Sequence, residues 1–131
     1  MYSKAEKKAS DRYSSLKSRV KVKYDLDQYW ERVDFIKWYI SAIKECCYCK
    51  CTEEELKKFY LIKKNNEAVK RVKRGQSLEI ERKKDEEYSE NNCELACYWC
   101  NNSKSDVFTY DEFQPIGKVI GIAIRKKINN E

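Results

Sequence analysis

The chain opens with a polar, basic stretch and becomes amphipathic only after residue 24. From Asp25 onward, apolar residues recur at spacings of three and four, which predicts a helix with one buried face. The residues of that face are Leu26, Trp30, Val33, Ile36, Ile40 and Ile43. Asp25 or Asp27 can cap the start of this helix. The aromatic residues within it are expected to pack in the core or at an interface and not to stack on bases, namely Trp30, Phe35, Trp38 and Tyr39.

Two further helices are predicted on either side of a short pair of strands. Thr52 and Thr109 each stand three residues before a glutamate, a capping box that marks the start of a helix. The first of these helices runs to about Lys64, and the second carries Phe113, Ile116, Ile120, Ala123 and Ile124. Residues 77–82 alternate between apolar and polar, which predicts a strand with Glu79 and Glu81 on one face. Residues 93–97 are predicted as a second strand and residues 98–105 as a short helix, so the expected fold class is α+β.

The length of 131 residues suits one modest core, and the charge divides the chain unevenly. Residues 1–24 carry eight Lys or Arg and two acids, whereas the remainder is neutral. We therefore expect a basic arm over residues 1–24 and a single domain over residues 25–131. A polyanion is the expected partner of the arm, and an exposed, solvated helix is the alternative interpretation. A second basic cluster favours nucleic acid, and its members are Lys63, Lys64, Lys70, Arg71, Lys73 and Arg74.

The residues that the chain lacks exclude several classes of function. There is no histidine, which excludes Ser-His-Asp and Cys-His catalysis and histidine-containing zinc fingers. Three scattered glycines cannot form a phosphate-binding loop. No apolar run approaches the roughly 18–20 residues needed to cross a bilayer, and the N-terminus does not resemble a secretory signal. We expect a cytoplasmic protein with no membrane partner.

Seven cysteines in such a chain indicate metal binding more than disulfide bonding. Cys46 and Cys49 form one CxxC pair, and Cys97 and Cys100 form another. Two such pairs are typical of a zinc ion held by four sulfur ligands. Because all four positions would be protein ligands, we expect this zinc to be structural. Cys46 with Cys49 is preferred because it repeats the spacing of the second pair, although one of the remaining cysteines could replace a ligand: Cys47, Cys51 or Cys93.

The residues between and after the two CxxC pairs resemble a known family. The strand ending in Glu81-Arg82, then Asn92, Cys97-x-x-Cys100-Asn101 and Lys104-Ser105, is similar to the zinc-bound HNH, or ββα-metal, nucleases. The resemblance covers residues 46 to about 125. It implies a ββα-metal core with a four-cysteine zinc clamp over residues 46–106, flanked by helices, with a C-terminal helix at about residues 110–128.

The resemblance also implies a role for individual residues. Glu81 stands where the family has a metal-binding aspartate, and Arg82 replaces the family's general-base histidine. Asn92 stands where an asparagine braces the loop, and Asn101 where the last metal ligand lies. Carboxylate and amide oxygens suit Mg²⁺ or Mn²⁺. Arg82 cannot act as a base but can hold a phosphate.

Without histidine, a tyrosine is the expected general base, and three candidates remain open: Tyr48, Tyr60 and Tyr88. Lys104 is expected to contact a DNA phosphate or to be a surface charge. The resemblance predicts a metal-dependent DNA endonuclease, expected to be a type II restriction enzyme that cuts double-stranded DNA as a homodimer. The alternatives are an inactive zinc-ribbon DNA-binding or adaptor protein on the same scaffold, and a homing or nicking endonuclease.

Overall fold

The computed structural model describes residues 1–65 and 74–130, which contain five helices and two strands. The helices are α1 (Lys4–Val20), α2 (Arg32–Ser41), α3 (Glu53–Lys64), α4 (Tyr98–Lys104) and α5 (Tyr110–Ile128). The strands are β1 (Glu79–Arg82) and β2 (Cys93–Ala96), which pair in one antiparallel sheet. Short 3₁₀ turns form at Leu26–Gln28 and Glu90–Asn92. The fold class is α+β, as predicted.

The chain divides into two compact units. The helical unit comprises residues 1–43 and 85–93, and the knuckle unit comprises residues 44–84 and 94–131. All of β2 except its first residue lies in the knuckle unit. The prediction of an arm over residues 1–24 and one domain over residues 25–131 stays a prediction. Within residues 1–65 and 74–130, no helix is both long enough and apolar enough to cross a bilayer.

In the helical unit, α1 is an ordered helix with one apolar face. Ser3 and Glu6 form a capping box at its start, although the sequence pattern had not marked one there. Its buried face consists of Ala9, Tyr13, Leu16 and Val20. The Tyr13 ring meets Phe35 of α2 edge-on at 5.3 Å, and Arg32 donates to the Ser10 carbonyl at 2.9 Å. The basic residues of α1 are therefore carried on a helix that packs against α2.

The amphipathic helix predicted from Asp25 onward is interrupted. Asp25 caps only the short 3₁₀ turn, where its carboxylate accepts from the Asp27 amide at 3.2 Å. The break before α2 changes the helical phase, so Phe35, Ile36 and Tyr39 form the buried face of α2. The predicted burial was wrong for three residues, which are 54%, 44% and 75% exposed, namely Val33, Ile40 and Ile43. The aromatic prediction was right for three buried rings, Trp30, Phe35 and Tyr39, whereas Trp38 is half-buried.

In the knuckle unit, both predicted capping boxes form, and they start α3 and α5. The buried face of α5 differs from the predicted one, because it consists of Phe113, Gly117, Gly121 and Ile124 while Ala123 is exposed. A Cβ atom at Gly117 would lie 2.5 Å from the Cβ of Tyr48, and one at Gly121 would lie 2.5 Å from the Cys49 carbonyl oxygen. The two glycines therefore let α5 pack directly on the loop that carries the first CxxC pair.

Candidate metal centre and active site

The first CxxC pair lies in a tight turn that is closed by backbone hydrogen bonds and in which two backbone amides point toward a sulfur. The Cys46 amide donates to the Cys51 carbonyl, and the Lys50 amide to the Cys46 carbonyl, both at 2.9 Å. Lys50 adopts a left-handed conformation, with φ of 65°, which closes the turn. The amides of Tyr48 and Cys49 lie 3.4 and 3.5 Å from the Cys46 sulfur. This is the knuckle that the CxxC spacing predicted.

The second CxxC pair lies at the start of α4. Cys97 is the N-cap, and its sulfur accepts from the Cys100 amide at 3.4 Å. The Cys47 amide donates to the Leu95 carbonyl of β2 at 2.8 Å, which holds the first knuckle against the strand leading to the second. The two pairs therefore meet although they are far apart in sequence.

Four buried thiols converge where the knuckles meet. The sulfurs of Cys46, Cys49, Cys97 and Cys100 all lie within 4.8 Å of one another, and those of Cys49 and Cys97 are 3.7 Å apart. Sulfurs bound tetrahedrally at about 2.3 Å from zinc lie about 3.8 Å apart, so the spacing fits such an ion. Hydrogen bonding within the group lowers the pKa of Cys46 to about 7, first through Cys100, and raises the pKa of Cys100, first through Cys46. The four thiols can hold a metal ion such as zinc.

The other three cysteines are buried but lie outside this group. Burial raises the pKa of Cys47 above its usual range. The neighbouring Cys49 thiol, and then burial, raise the pKa of Cys51 above its usual range. Cys93 begins β2 and is 2% exposed. The preferred ligand set from the sequence is thus the set that the structure brings together.

Glu81 lies at the centre of a buried polar cluster in the knuckle unit. Its carboxylate accepts from the Tyr48 hydroxyl at 3.2 Å, and the same oxygen lies 3.9 Å from the Lys104 ammonium. Glu81 and Lys104 are each only 7% exposed. Burial raises the pKa of Glu81, and the charge of Lys104 opposes that shift. The partner that the structure gives Lys104 is Glu81, and its predicted phosphate contact stays a prediction.

Asn101 lies one helical turn before Lys104 and bonds to a different acid. Its amide nitrogen donates to Glu79 at 3.1 Å. Glu79 also accepts from the Arg74 guanidinium, whose Nε lies 3.0 Å away and whose second nitrogen makes a shorter contact. One face of α4 therefore meets the acidic face of β1. The site predicted at Glu81 and Asn101 is flanked by Glu79, to which the sequence pattern assigned no role.

Arg82 follows Glu81 on β1, and strand alternation starts its side chain on the opposite face. It is half-buried. Among the candidate bases, Tyr48 has its pKa raised far above the usual range, first by burial and then by the charge of Glu81. In this arrangement the Tyr48 hydroxyl donates its proton to Glu81 and is not free to accept one from water. Tyr60 is buried in α3, with 9% exposure.

Two predicted site residues lie in the helical unit. Asn92 is buried, with 8% exposure, and its amide donates to the Glu87 carbonyl at 3.0 Å. This local contact is of the kind expected of an asparagine that braces the loop. Tyr88 is half-buried, its backbone amide donates to the Tyr24 hydroxyl at 2.8 Å, and the Arg19 guanidinium lies 6.0 Å from its ring.

The predicted DNA-binding cluster is only partly described by the structure. Lys70, Arg71 and Lys73 lie outside the described residues. Lys64 is exposed, and the Lys63 ammonium lies 5.4 Å from the Phe59 ring. The Arg74 guanidinium lies 4.9 Å from the Tyr98 ring besides pairing with Glu79.

The residues that sequence reasoning missed are Glu79 as a contact of the site and Lys104 as a buried counter-ion. One signal could have found both. Glu79 and Glu81 are two apart on a strand, and Asn101 and Lys104 are three apart on a helix. The first spacing places the two acids on one face of the strand, and the second places the amide and the ammonium on one face of the helix. The sequence could therefore have suggested that these two faces pair.

Comparison with known proteins gives one informative likeness. No family model matches the chain, and no curated protein matches its sequence. The fold is similar to that of the rare-cutting HNH restriction endonuclease PacI, with a TM-score of 0.70 and 26% identity. The similarity covers 92% of this chain and 81% of the PacI chain. This chain has an HNH-like fold. The likeness to PacI, whose solved structure concerns a mechanism of DNA perturbation, supports a nuclease of HNH type.

Proposed function

We propose that the protein is a metal-dependent DNA endonuclease of HNH type, and that it cuts double-stranded DNA as a restriction enzyme. The observation that carries this proposal is the placement of Glu81 and Asn101. The contacts of α4 with β1 bring a carboxylate and an amide to the same small region of an HNH-like fold. The likeness to PacI supports the choice of DNA as substrate.

The donor chemistry of this region suits a hard divalent cation. Glu81 supplies carboxylate oxygen and Asn101 supplies amide oxygen, and both are ligands that Mg²⁺ and Mn²⁺ prefer. Such an ion would stabilise charge on the scissile phosphate and the leaving oxygen. The soft thiol group of the knuckles is a separate centre, suited to structural zinc. In this proposal zinc stabilises the fold, and the hard divalent ion takes part in the reaction.

The remaining site residues are proposed to act on the phosphate, the water and the loop. Arg82 offers a planar fork of donors that matches a phosphate. Asn92 braces the loop through Glu87. With Tyr48 bound to Glu81, Tyr88 and Tyr60 are the remaining candidate bases. Tyr88 is preferred because it is the less buried of the two.

DNA contacts are proposed for the basic surfaces. The exposed side of α1 presents Lys4, Lys7, Lys8 and Arg12 along a shallow groove. The second basic cluster runs from Lys63 to Arg74 and includes residues outside the described part of the chain. Cationic side chains release counterions from DNA, so affinity should fall as salt rises. A homodimer is proposed because one small active site per chain cuts both strands of a palindrome only in pairs.

The proposal is tested by a cleavage experiment on zinc-loaded protein. Supercoiled and linear DNA of varied sequence is incubated with Mg²⁺, with Mn²⁺ or with EDTA. We expect discrete double-strand products only with a divalent ion, because the hard-ligand site needs one. Sedimentation of the protein with a cleavable duplex is expected to show two chains per DNA. Random degradation, or cleavage unaffected by EDTA, would contradict the proposal.

A second candidate function is favoured by the contact between Glu81 and Lys104. The ammonium lies 3.9 Å from the carboxylate, so an internal cation already neutralises the proposed ligand. This arrangement suits a zinc-ribbon DNA-binding protein that uses the HNH scaffold without catalysis. Tight, salt-sensitive DNA binding without cleavage, for all ions and sequences tried, would favour it over the endonuclease.

Replacing Arg82 with lysine tests the phosphate role of this residue. Lysine keeps the charge but offers only a point contact in place of the two-pronged fork. We expect cleavage to fall on the order of a hundredfold, as for removal of one preorganised donor to the transition state. DNA affinity should fall only slightly, because the basic surfaces carry most of the phosphate contacts. Single-turnover cleavage rates and filter-binding affinities measure the two effects, and an unchanged rate would remove Arg82 from the site.

A further inference from the structure

Glu79 is a half-buried acid for which the proposed function has no use. Its side chain is 15% exposed, and it stands two residues before Glu81 on the same face of β1. Its contacts are specific: two nitrogens of Arg74 meet one carboxylate oxygen, and the amide nitrogen of Asn101 donates to the other. An acid held at both oxygens in this way does more than fill a surface position.

The chemistry of the pair fixes the orientation of Asn101. A carboxylate has only acceptor oxygens, whereas an asparagine amide has one donor end and one acceptor end. The contact at 3.1 Å therefore requires the NH₂ end of Asn101 to face Glu79. The carbonyl oxygen, at the other end of the planar amide, must then point away from Glu79.

Arg74 makes this arrangement stable. Its fork engages the carboxylate oxygen that Asn101 does not use, so the two partners of Glu79 do not compete for one oxygen. Arg74 also lies over the Tyr98 ring, at 4.9 Å, which restricts the position of its head group. The three side chains are thus connected in series by hydrogen bonds, Arg74 to Glu79 to Asn101.

We propose that Glu79 is the positioning residue of the candidate metal site, and that it turns the Asn101 carbonyl oxygen toward the divalent ion. This inference rests on the proposed function, because it takes Asn101 as a ligand. If Glu79 is removed, the amide can rotate and present its NH₂ end, which a cation repels. Residues that orient metal ligands typically contribute 10- to 100-fold in metal affinity.

The test is a double-mutant cycle read by metal binding. Mn²⁺ binding to zinc-loaded protein is measured by titration calorimetry and by the loss of the free-ion electron paramagnetic resonance signal. Mn²⁺ prefers oxygen ligands and leaves the thiol centre undisturbed. Four proteins are compared: the parent chain, Glu79→Ala, Asn101→Ala, and the double variant. Alanine at position 101 leaves no amide for Glu79 to orient and places no new charge beside it.

We expect Glu79→Ala to weaken Mn²⁺ binding at least tenfold when residue 101 is asparagine, and by much less when it is alanine. Loss of negative charge alone would weaken binding equally in both backgrounds, and that result would overturn the proposal. Glu79→Gln, which removes the charge but keeps an acceptor oxygen for Asn101, should retain more affinity than Glu79→Ala. Glu94→Ala is the matched control, since it removes an acid of β2 that pairs with Lys83 at 3.9 Å.

The outcomes separate this inference from the function on which it rests. Parent protein that binds Mn²⁺ and cuts DNA, together with additive effects in the cycle, removes only the positioning role of Glu79. Parent protein that binds no Mn²⁺ and does not cut overturns both. Unchanged zinc content and circular dichroism establish that each variant is folded.

Discussion

Replacing Cys97 with serine is expected to remove the structural metal and unfold the knuckle unit. Cys97 contributes both to the thiol group and to the N-cap of α4, so one substitution weakens the metal site and the start of the helix. Apparent zinc-binding energies of about 10–16 kcal/mol in small domains make the metal a large part of their stability. The sheet of this unit has only two short strands, which alone are marginal in water.

The measurement is elemental analysis together with thermal unfolding followed by circular dichroism. Parent protein should contain one zinc per chain, and the Cys97→Ser variant should contain almost none and lose its cooperative transition. Cys93→Ser is the matched control, because Cys93 is equally buried but outside the thiol group. It should keep its zinc and lose only packing energy. Well-folded parent protein without zinc would refute the assignment.

The sequence predicted well those features that depend only on hydrogen bonds between residues close together in the chain. Thr52 and Thr109 start helices because their hydroxyls accept from the glutamate amides three residues later. The two CxxC pairs form knuckles because backbone amides point at sulfur within the turn. The spacing of Cys46 and Cys49 then sufficed to choose among four neighbouring cysteines. None of these features depends on distant parts of the chain.

The errors arose where packing decides between two faces. Val33 and Ile40 fit a continuous helical stripe, but the break before α2 shifts the phase so that Phe35 and Tyr39 turn inward. On α5, the isoleucines suggested the buried face, yet the glycines occupy its centre since only they allow the knuckle to approach. Periodicity weighs residues by their hydrophobicity and does not register how close two backbones must come.

At the candidate site, too, the sequence predicted individual residues but not the contacts between them. The family pattern placed Glu81 and Asn101 near each other, but it did not reveal their partners. Lys104 was expected to contact phosphate or to be a surface charge, whereas the structure buries it against Glu81. Strand and helix spacing shows which residues share a face, but the contact between two faces is a property of the packed structure.

Removing the carboxylate of Glu81 is expected to abolish DNA cleavage while leaving DNA binding intact. In the proposed mechanism its charge holds the divalent ion, and the ion stabilises the charge that develops during phosphodiester hydrolysis. Simple replacement by glutamine would leave Lys104 as a buried ammonium without its counter-ion, which is costly in itself. A loss of activity in that variant could therefore reflect misfolding.

The double variant Glu81→Gln with Lys104→Met avoids this difficulty. It removes both buried charges together, keeps side chains of similar size, and leaves glutamine an oxygen for the Tyr48 hydroxyl. We expect unfolding temperature and zinc content close to those of the parent, with cleavage lowered at least a thousandfold, about 4 kcal/mol of transition-state stabilisation. Lys104→Met alone controls for the lysine. Its zinc content and unfolding temperature are measured as well, because it leaves the Glu81 carboxylate buried without its counter-ion. If Lys104→Met retains cleavage and the double variant does not, loss of the Glu81 carboxylate explains the loss of cleavage. Cleavage by the double variant at the parent's rate would exclude Glu81 from catalysis.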